Sequence, residues 1–301
     1  MKVTVLGSAA GVPTPERGLP AVLVEVEGEL VLFDCGEGTQ RQMMKAGYGL
    51  CRKMKIFITH LHGDHIFGLP GMIQTMNLLN RMHPLEVYGP PGLREFIEET
   101  TMATMSEPVF DLTVHEVSEG EVFRGKRYRI EGAWGDHSRA TMAYRMVVGE
   151  GPGRFRPGRA RALGVPEGPL WSELKSGRKI TLRDGRVVES KDVLGEPVPG
   201  KILVYSGDTR FSPNIVRLAT GADILIHEGT LASGLKELAE MEGHSTAEVA
   251  ARVAKKAKVK RLILTHISAR YPDTRVLEDE ARKIFPRTEV AQDLKVYDLK
   301  S

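Results

Sequence analysis

Four apolar runs in this chain each end on side chains that bind metals. KIFIT runs into His60, ILVYSG into Asp208, DILI into His227 and Glu228, and RLILT into His266. Runs this short and this rich in Ile, Leu and Val read as buried strands. In an open α/β sheet the loops beyond the carboxyl ends of the strands converge, and ligands bind there. Strands laid side by side in that way would gather these residues despite their wide separation in sequence. AWGDHS adds His137 at the end of a further strand-like stretch.

The remaining pattern fits an α/β chain. MKVTVLG, AVLVEVE, LVLFDCG, LEVYGP, DLTVHEV, EVFRGKRYRIEG and ATMAYRMVV read as strands. GEGTQRQMMKAG, GLREFIEETTMAT, SPNIVRLA, STAEVAARVAKKA and RVLEDEARKIF read as helices, as does GLPGMIQTMNLLNR, where Met72, Ile73, Met76 and Leu79 follow helical spacing. These helices suffice to cover two faces of a sheet core, and 301 residues fit a single layered domain spanning 1–301. The chain is 41% hydrophobic and 27% charged, an ordinary globular balance. No run approaches the roughly 18–20 apolar residues that a bilayer span needs, so no membrane partner is expected. MKVTVLGSAAG enters a strand directly, without signal-peptide anatomy, and a cytoplasmic protein is the expectation. Cys35 and Cys51 are not spaced as a CxxC pair and read as buried or half-buried thiols rather than ligands.

Residues 150–200 break the pattern. They are dense in Gly and Pro, with few strong apolar runs, and read as an insertion projecting from the core. Between Pro152 and Lys179 the basic residues Arg154, Arg156, Arg159, Arg161, Lys175, Arg178 and Lys179 face only Glu167 and Glu173 in opposition. The net charge of +3 is compatible with a polyanionic partner without requiring one. Basic side chains on a projecting segment suit phosphate contacts.

THLHGDH concentrates His60, His62, Asp64 and His65, which would be costly after a buried strand without a common partner. His60 and His62, two apart, point the same way from an extended segment. Asp64 and His65 follow where the chain turns and can point elsewhere. Two directions give room for two sites, one of His60, His62 and His137 and the other of Asp64, His65 and His266, with Asp208 able to bridge them. Imidazole with carboxylate ligation suits zinc, with manganese or iron as alternatives. Two metals about 3.5–4 Å apart form a clamp for displacement at phosphorus, in which a bridging water becomes the nucleophile. His83 and His115, each isolated, read as hydrogen-bonded structural residues.

THLHGDH matches the HxHxDH signature of the metallo-β-lactamase superfamily, and with His137, Asp208 and His266 the chain resembles a dinuclear zinc hydrolase of αββα sandwich fold. The segments LGSAAGVPTPERG, FDCGEGTQRQM, GLPGMIQTM, LEVYGPPGLREFI, GPLWSELKSGR, YSGDTR, LIHEGT, GHSTAEVA and LTHISAR run in the order of the short form of tRNase Z, across essentially the whole chain. HEGT resembles that family's HEAT motif, GHST its HST motif, and the GPLW insertion its flexible tRNA-gripping arm. The resemblance implies an endonuclease that removes the 3′ trailer from precursor tRNA, leaving a 3′-hydroxyl on the tRNA, with two zinc ions per subunit in a homodimer. It implies that Asp64 acts as general base as well as ligand, and that His244, backed by Glu228, protonates the leaving oxygen. Read from the residues alone, His244 is also a neighbour of the helix start, where Ser245 and Thr246 are the better caps, and Glu228 also suits a bond to a ligand histidine. The family's PxKxRN loop reads Pro13-Thr14-Pro15-Glu16-Arg17-Gly18 here, keeping the proline and Arg17 as a substrate contact but losing the lysine and asparagine. Two rival readings are a small-molecule hydrolase of the same superfamily, such as a lactonase or arylsulfatase-like enzyme, and a non-enzymatic RNA-binding protein. The basic arm, HEGT and GHST oppose the first, and the full set of ligands opposes the second.

Overall fold

The aliphatic runs form two seven-stranded sheets in a computed structural model that describes residues 1–196 and 198–299. Pro197, inside the expected insertion, and Lys300 and Ser301 lie outside the described residues. From edge to edge the first sheet is Val296–Asp298, Lys2–Gly7, Ala21–Val26, Glu29–Phe33, Met54–Phe57, Leu85–Gly89 and Leu112–Glu116. It pairs antiparallel as far as Glu29–Phe33 and parallel beyond. The second sheet is Thr288–Val290, Leu262–Thr265, Ile224–Glu228, Lys201–Tyr205, Met142–Val148, Tyr128–Trp134 and Gly120–Arg124. Ile224–Glu228 and Leu262–Thr265 are buried at every position, as central parallel strands covered on both faces are.

An aromatic layer joins the sheets. Phe33 and Phe57 of the first sheet meet Tyr144 and Tyr205 of the second with ring centroids 5.5–6.0 Å apart. The Tyr144 hydroxyl donates to the Ile58 carbonyl at 2.7 Å, and the Tyr205 hydroxyl donates to Asp34 at 2.8 Å. Helices cover the two outer faces. Met43, Leu69, Met72 and Met76 pack with the first sheet's outward residues, and Ile215, Ala250, Val253 and Leu277 with those of the second. This is the expected αββα sandwich, and the parallel strands of both sheets deliver their carboxyl ends to one edge.

Two local features differ from expectation, and a third adds detail to it. EVFRGKRYRIEG is a hairpin, Gly120–Arg124 with Tyr128–Trp134, rather than one strand. The helix Lys236–Glu242 was not foreseen, because it buries only Ala239 and so carries little apolar periodicity. Residues 150–200, read as an insertion, carry structure of their own. The chain divides into two compact units, and the second, Lys126–Tyr128 with Val147–Lys201, has its own small core. Ala160, Val165, Leu174, Ile180, Val188 and Val193 form that core, supplied by the helices Pro157–Ala162, Pro169–Lys175 and Ser190–Val193, the connection between the first two, and the hairpin Ile180–Thr181 with Val187–Val188. Among the described residues no helix is long and apolar enough to cross a membrane.

Candidate active site

His60, three residues past the carboxyl end of Met54–Phe57, meets His62 and His137 at the strand ends. His60 Nε2 lies 3.1 Å and His137 Nε2 lies 3.2 Å from His62 Nδ1. The proton positions follow from the outer partners. Thr59 donates its hydroxyl to Asp34 at 3.0 Å, so it accepts from His60 Nδ1 at 3.0 Å, which leaves a lone pair on His60 Nε2. His137 Nδ1 donates to the Gly243 carbonyl at 2.7 Å, which leaves a lone pair on His137 Nε2. Two lone pairs thus converge on His62 Nδ1, and one proton there can satisfy only one of them. A cation at the centre satisfies all three nitrogens.

The second group repeats the logic with carboxylates. The short helix Gly63–Ile66 turns Asp64 and His65 away from His62. His65 Nδ1 donates to Asp34 at 2.7 Å, so its Nε2 carries a lone pair; that atom is buried without a hydrogen bond, 3.3 Å from Asp208 Oδ2. Thr230 donates to Glu228 at 2.7 Å and accepts from His266 Nδ1 at 2.9 Å. The lone pair on His266 Nε2 therefore faces Asp64 and Asp208, each at 3.3 Å. Lone pairs opposed to carboxylates repel unless a proton or a cation intervenes. Burial alone would lower the pKa of His65, but Asp208 and Asp34 on either side raise it well above the ordinary imidazole range. Burial would raise Asp208, but His266 and His65 hold it well below the usual carboxylate range, and its Oδ1 is buried without a partner.

The seven expected ligands are therefore brought together as two groups. His60, His62 and His137 form one, Asp64, His65 and His266 the other, and Asp208 lies with His60 and His65 between them. Within each group the candidate atoms lie within 4.8 Å of one another. The donor set and its orphaned buried atoms fit a pair of divalent ions of zinc type. Asp34 and His266 hold left-handed backbones, φ 58° and 55°, uncommon for residues other than glycine and concentrated at sites where geometry is imposed.

Beside the two groups stands an acid pair. Glu228 is fully buried and accepts from Thr209 N at 2.7 Å, Thr230 Oγ1 at 2.7 Å, Ser245 N at 2.9 Å and His244 Nδ1 at 3.1 Å. Burial would lower His244, yet the Glu228 charge overrides it and lifts its pKa to about 9. The His244 ring lies 5.0 Å from that of His137 and 5.2 Å from that of His266, so it borders both groups. Thr246 caps the helix Ala247–Ala257, accepting from Val249 N, while Ser245 is tied to Thr209 instead. His227 points elsewhere, donating Nδ1 to the Glu228 carbonyl.

Other expected site residues are not members of these groups. Arg17 is a loop anchor, its Nη1 donating to Ser8 Oγ at 2.6 Å and the Ala291 carbonyl at 2.7 Å. Arg154, Arg156, Arg159, Arg161, Lys175, Arg178 and Lys179 are exposed in the second unit. Arg161 there pairs with Glu167 and covers Trp171, and Lys175 lies over Phe155. His115 stacks on Tyr88, and both cysteines are free, Cys35 buried and Cys51 half-buried. The sequence reading missed Asp34, which follows LVLF as the other chelators follow their runs; the same strand-end pattern points to it. It also missed the hydroxyls of Thr59, Thr209, Thr230 and Ser245, which the fold brings to distant partners such as Asp34 for Thr59 and His266 for Thr230.

Fold and site together define a hydrolase class with a dinuclear donor set. Residues 16–148 match the metallo-beta-lactamase superfamily model, and residues 175–267 match a second model described as a beta-lactamase superfamily domain. Ribonuclease Z of Methanothermobacter thermautotrophicus is 45% identical over 301 residues, covering 100% of this chain and 97% of that one. Ribonuclease Z of Brevibacillus brevis is 44% identical, covering 98% and 95%. The crystal structure of human short-form tRNase Z superposes with a TM-score of 0.73 at 32% identity, covering both chains completely. The chain belongs to the ribonuclease Z family, metal-dependent endoribonucleases of this fold.

Proposed function

We propose that this chain is a zinc-dependent endoribonuclease that removes the 3′ trailer from precursor tRNA, leaving a 3′-hydroxyl on the tRNA and a 5′-phosphate on the trailer. The observation that carries the reading is the Glu228–His244 pair bordering both ligand groups. A nucleoside 3′-oxygen leaves poorly as an alkoxide and needs a proton, so phosphodiester cleavage makes use of such an acid. Lactone or β-lactam hydrolysis does not call for an imidazolium held charged by a buried carboxylate in this position. Relatives named Ribonuclease Z that match along the full chain support the RNA as substrate.

When bound, the two ions would supply Lewis acidity, which makes water more acidic and offsets charge on the phosphate. The chain's own groups do the rest. His60, His62 and His137 would hold one ion, Asp64, His65 and His266 the other, and Asp208 both. Asp64, whose Oδ2 accepts from Gly11 N at 3.0 Å, stays ionised and accepts a proton from the attacking water. His244 keeps its Nδ1 proton on Glu228 and delivers the Nε2 proton to the leaving 3′-oxygen. Arg154, Arg156 and Arg159 of the second unit contact tRNA phosphates, with that unit acting as the tRNA-gripping arm. The protein acts in the cytoplasm as a homodimer, for which the exposed Leu78, Met82, Met102 and Met105 offer an apolar contact.

Incubating purified protein with precursor tRNA, with and without chelator, tests the reading. Cleavage to a 3′-hydroxyl end that chelator abolishes is the expected result. Hydrolysis of lactones with no RNA cleavage would replace it with the small-molecule reading, and tRNA binding without any cleavage would replace it with the non-enzymatic one.

A further inference from the structure

The helix Lys236–Glu242 ends at Gly243, which takes up φ 85° and ψ 27°, the left-handed turn that closes many helices. Gly243 then touches both halves of the site. Its carbonyl accepts the Nδ1 proton of His137 at 2.7 Å, and its peptide bond leads directly into His244. The room at its α-carbon is also used. A Cβ there would lie 2.7 Å from His137 Nδ1 and 3.1 Å from Ser138 N, so any other residue must push the His137 segment away. On the far side the same loop is fixed by Ser245, whose hydroxyl donates to the Thr209 carbonyl at 2.6 Å. His244 N donates to the Ala239 carbonyl at 2.8 Å, holding the acid's backbone to the helix. The loop therefore has little freedom to retreat from a clash with His137.

We propose that Gly243 is a positioning residue that joins the His60, His62 and His137 group to the proton donor. It fixes the His137 tautomer and ring so that Nε2 faces the other two imidazoles, and it sets the point from which His244 starts. Outer partners of this kind raise ligand basicity and hold ring orientation, and losing one typically weakens metal binding about 10–100-fold. The inference rests on the dinuclear reading above, and it makes a selective statement within it. Among the candidate ligands Gly243 hydrogen-bonds His137 of the first group, whereas the Asp64, His65 and His266 group is oriented by Asp34 and Thr230.

The test is zinc stoichiometry and affinity, which need no RNA. Native mass spectrometry of the wild-type protein is expected to show two zinc ions per chain, and Gly243→Ala one, with the first ion bound at wild-type affinity and the second weakened at least about tenfold in chelator competition. Gly221→Ala is the control for backbone strain: Gly221 also has a positive φ of 70°, but nothing lies within 4 Å of its added Cβ, so two ions should remain. If Gly243→Ala folds poorly, Gly243→Asn relieves the strain, since Asn accepts left-handed angles, while keeping the clash, and it should lose the same ion. Two tightly bound ions in a folded Gly243→Ala or Gly243→Asn protein would overturn the proposal. So would equal zinc loss in Gly221→Ala. A wild-type protein that binds no zinc would instead overturn the dinuclear reading itself.

Discussion

At His244 two large effects oppose each other, and their balance decides whether the residue can serve as an acid at neutral pH. Burial favours the neutral imidazole, while Glu228 at 3.1 Å favours the imidazolium and prevails, placing the pKa at about 9. A raised pKa means that the proton is present below that value and lost as pH climbs through it. In metal-free protein, the His244 ring signals should therefore titrate near 9 by NMR. Glu228→Gln removes the attracting charge but not the burial, so its titration should fall toward or below the ordinary 6.5. Bound dications at the neighbouring ligands repel the imidazolium, so the alkaline limb of kcat in the zinc enzyme should sit below the metal-free value. An unchanged His244 titration in Glu228→Gln would remove Glu228 from this role. His244→Ala should lower kcat by about 10²–10⁴-fold, the usual worth of a general acid, with a much smaller change in KM.

Elements explain why the site forms where it does. His60, Asp208 and His266 sit one to three residues past parallel strands, so the run of aliphatics that makes each strand also aims its carboxyl end, and His62, Asp64 and His65 follow on the segment that His60 begins. That much was legible in the sequence, because short aliphatic runs followed by a polar chelator need no tertiary knowledge to recognise. The hydroxyl and carboxylate partners were not, since they belong to other strands. Asp34 shows the difference. It ends Glu29–Phe33 and accepts from Thr59 N, Thr59 Oγ1 and His65 Nδ1 from the next segment of its own sheet, and from Tyr205 across the sandwich. Asp34→Asn keeps a residue that tolerates φ 58° but sets an amide N–H against one of those donors. Leaving a buried donor unmatched should destabilise the fold by about 1–3 kcal/mol. Zinc affinity should fall about 10–100-fold through the loss of His65 orientation. Thermal unfolding and chelator competition measure the two effects. A variant with lowered stability but wild-type zinc affinity would make Asp34 a packing residue only.

Across the molecule, the function proposed above divides chemistry and substrate grip between two compact units. All the candidate ligands and the Glu228–His244 pair belong to the first, and the basic residues of the proposed arm belong to the second. The arm's self-contained core was hidden in the sequence because its apolar residues are single and scattered among glycines and prolines, without a period. That core matters for how the arm is tested. Deleting 152–179 would remove Ala160, Val165 and Leu174 and leave Ile180, Val188 and Val193 uncovered, so lost binding would not separate charge from folding. Substituting exposed arginines does. Arg161 and Lys175 also pack on Trp171 and Phe155, which makes Arg154, Arg156 and Arg159 the cleaner choices. Each phosphate contact on structured RNA contributes a salt-dependent increment, with a slope of about 0.7–0.9 in log affinity against log salt. The triple variant Arg154→Ala, Arg156→Ala, Arg159→Ala should therefore raise KM for precursor tRNA by about 10-fold or more at low salt and flatten the salt dependence by about two to three units of slope. Far-ultraviolet circular dichroism and zinc content should stay at wild-type values, since none of the three belongs to either core. A parallel loss at all salt concentrations, with the slope unchanged, would mean that these arginines shape the arm rather than meet the phosphates.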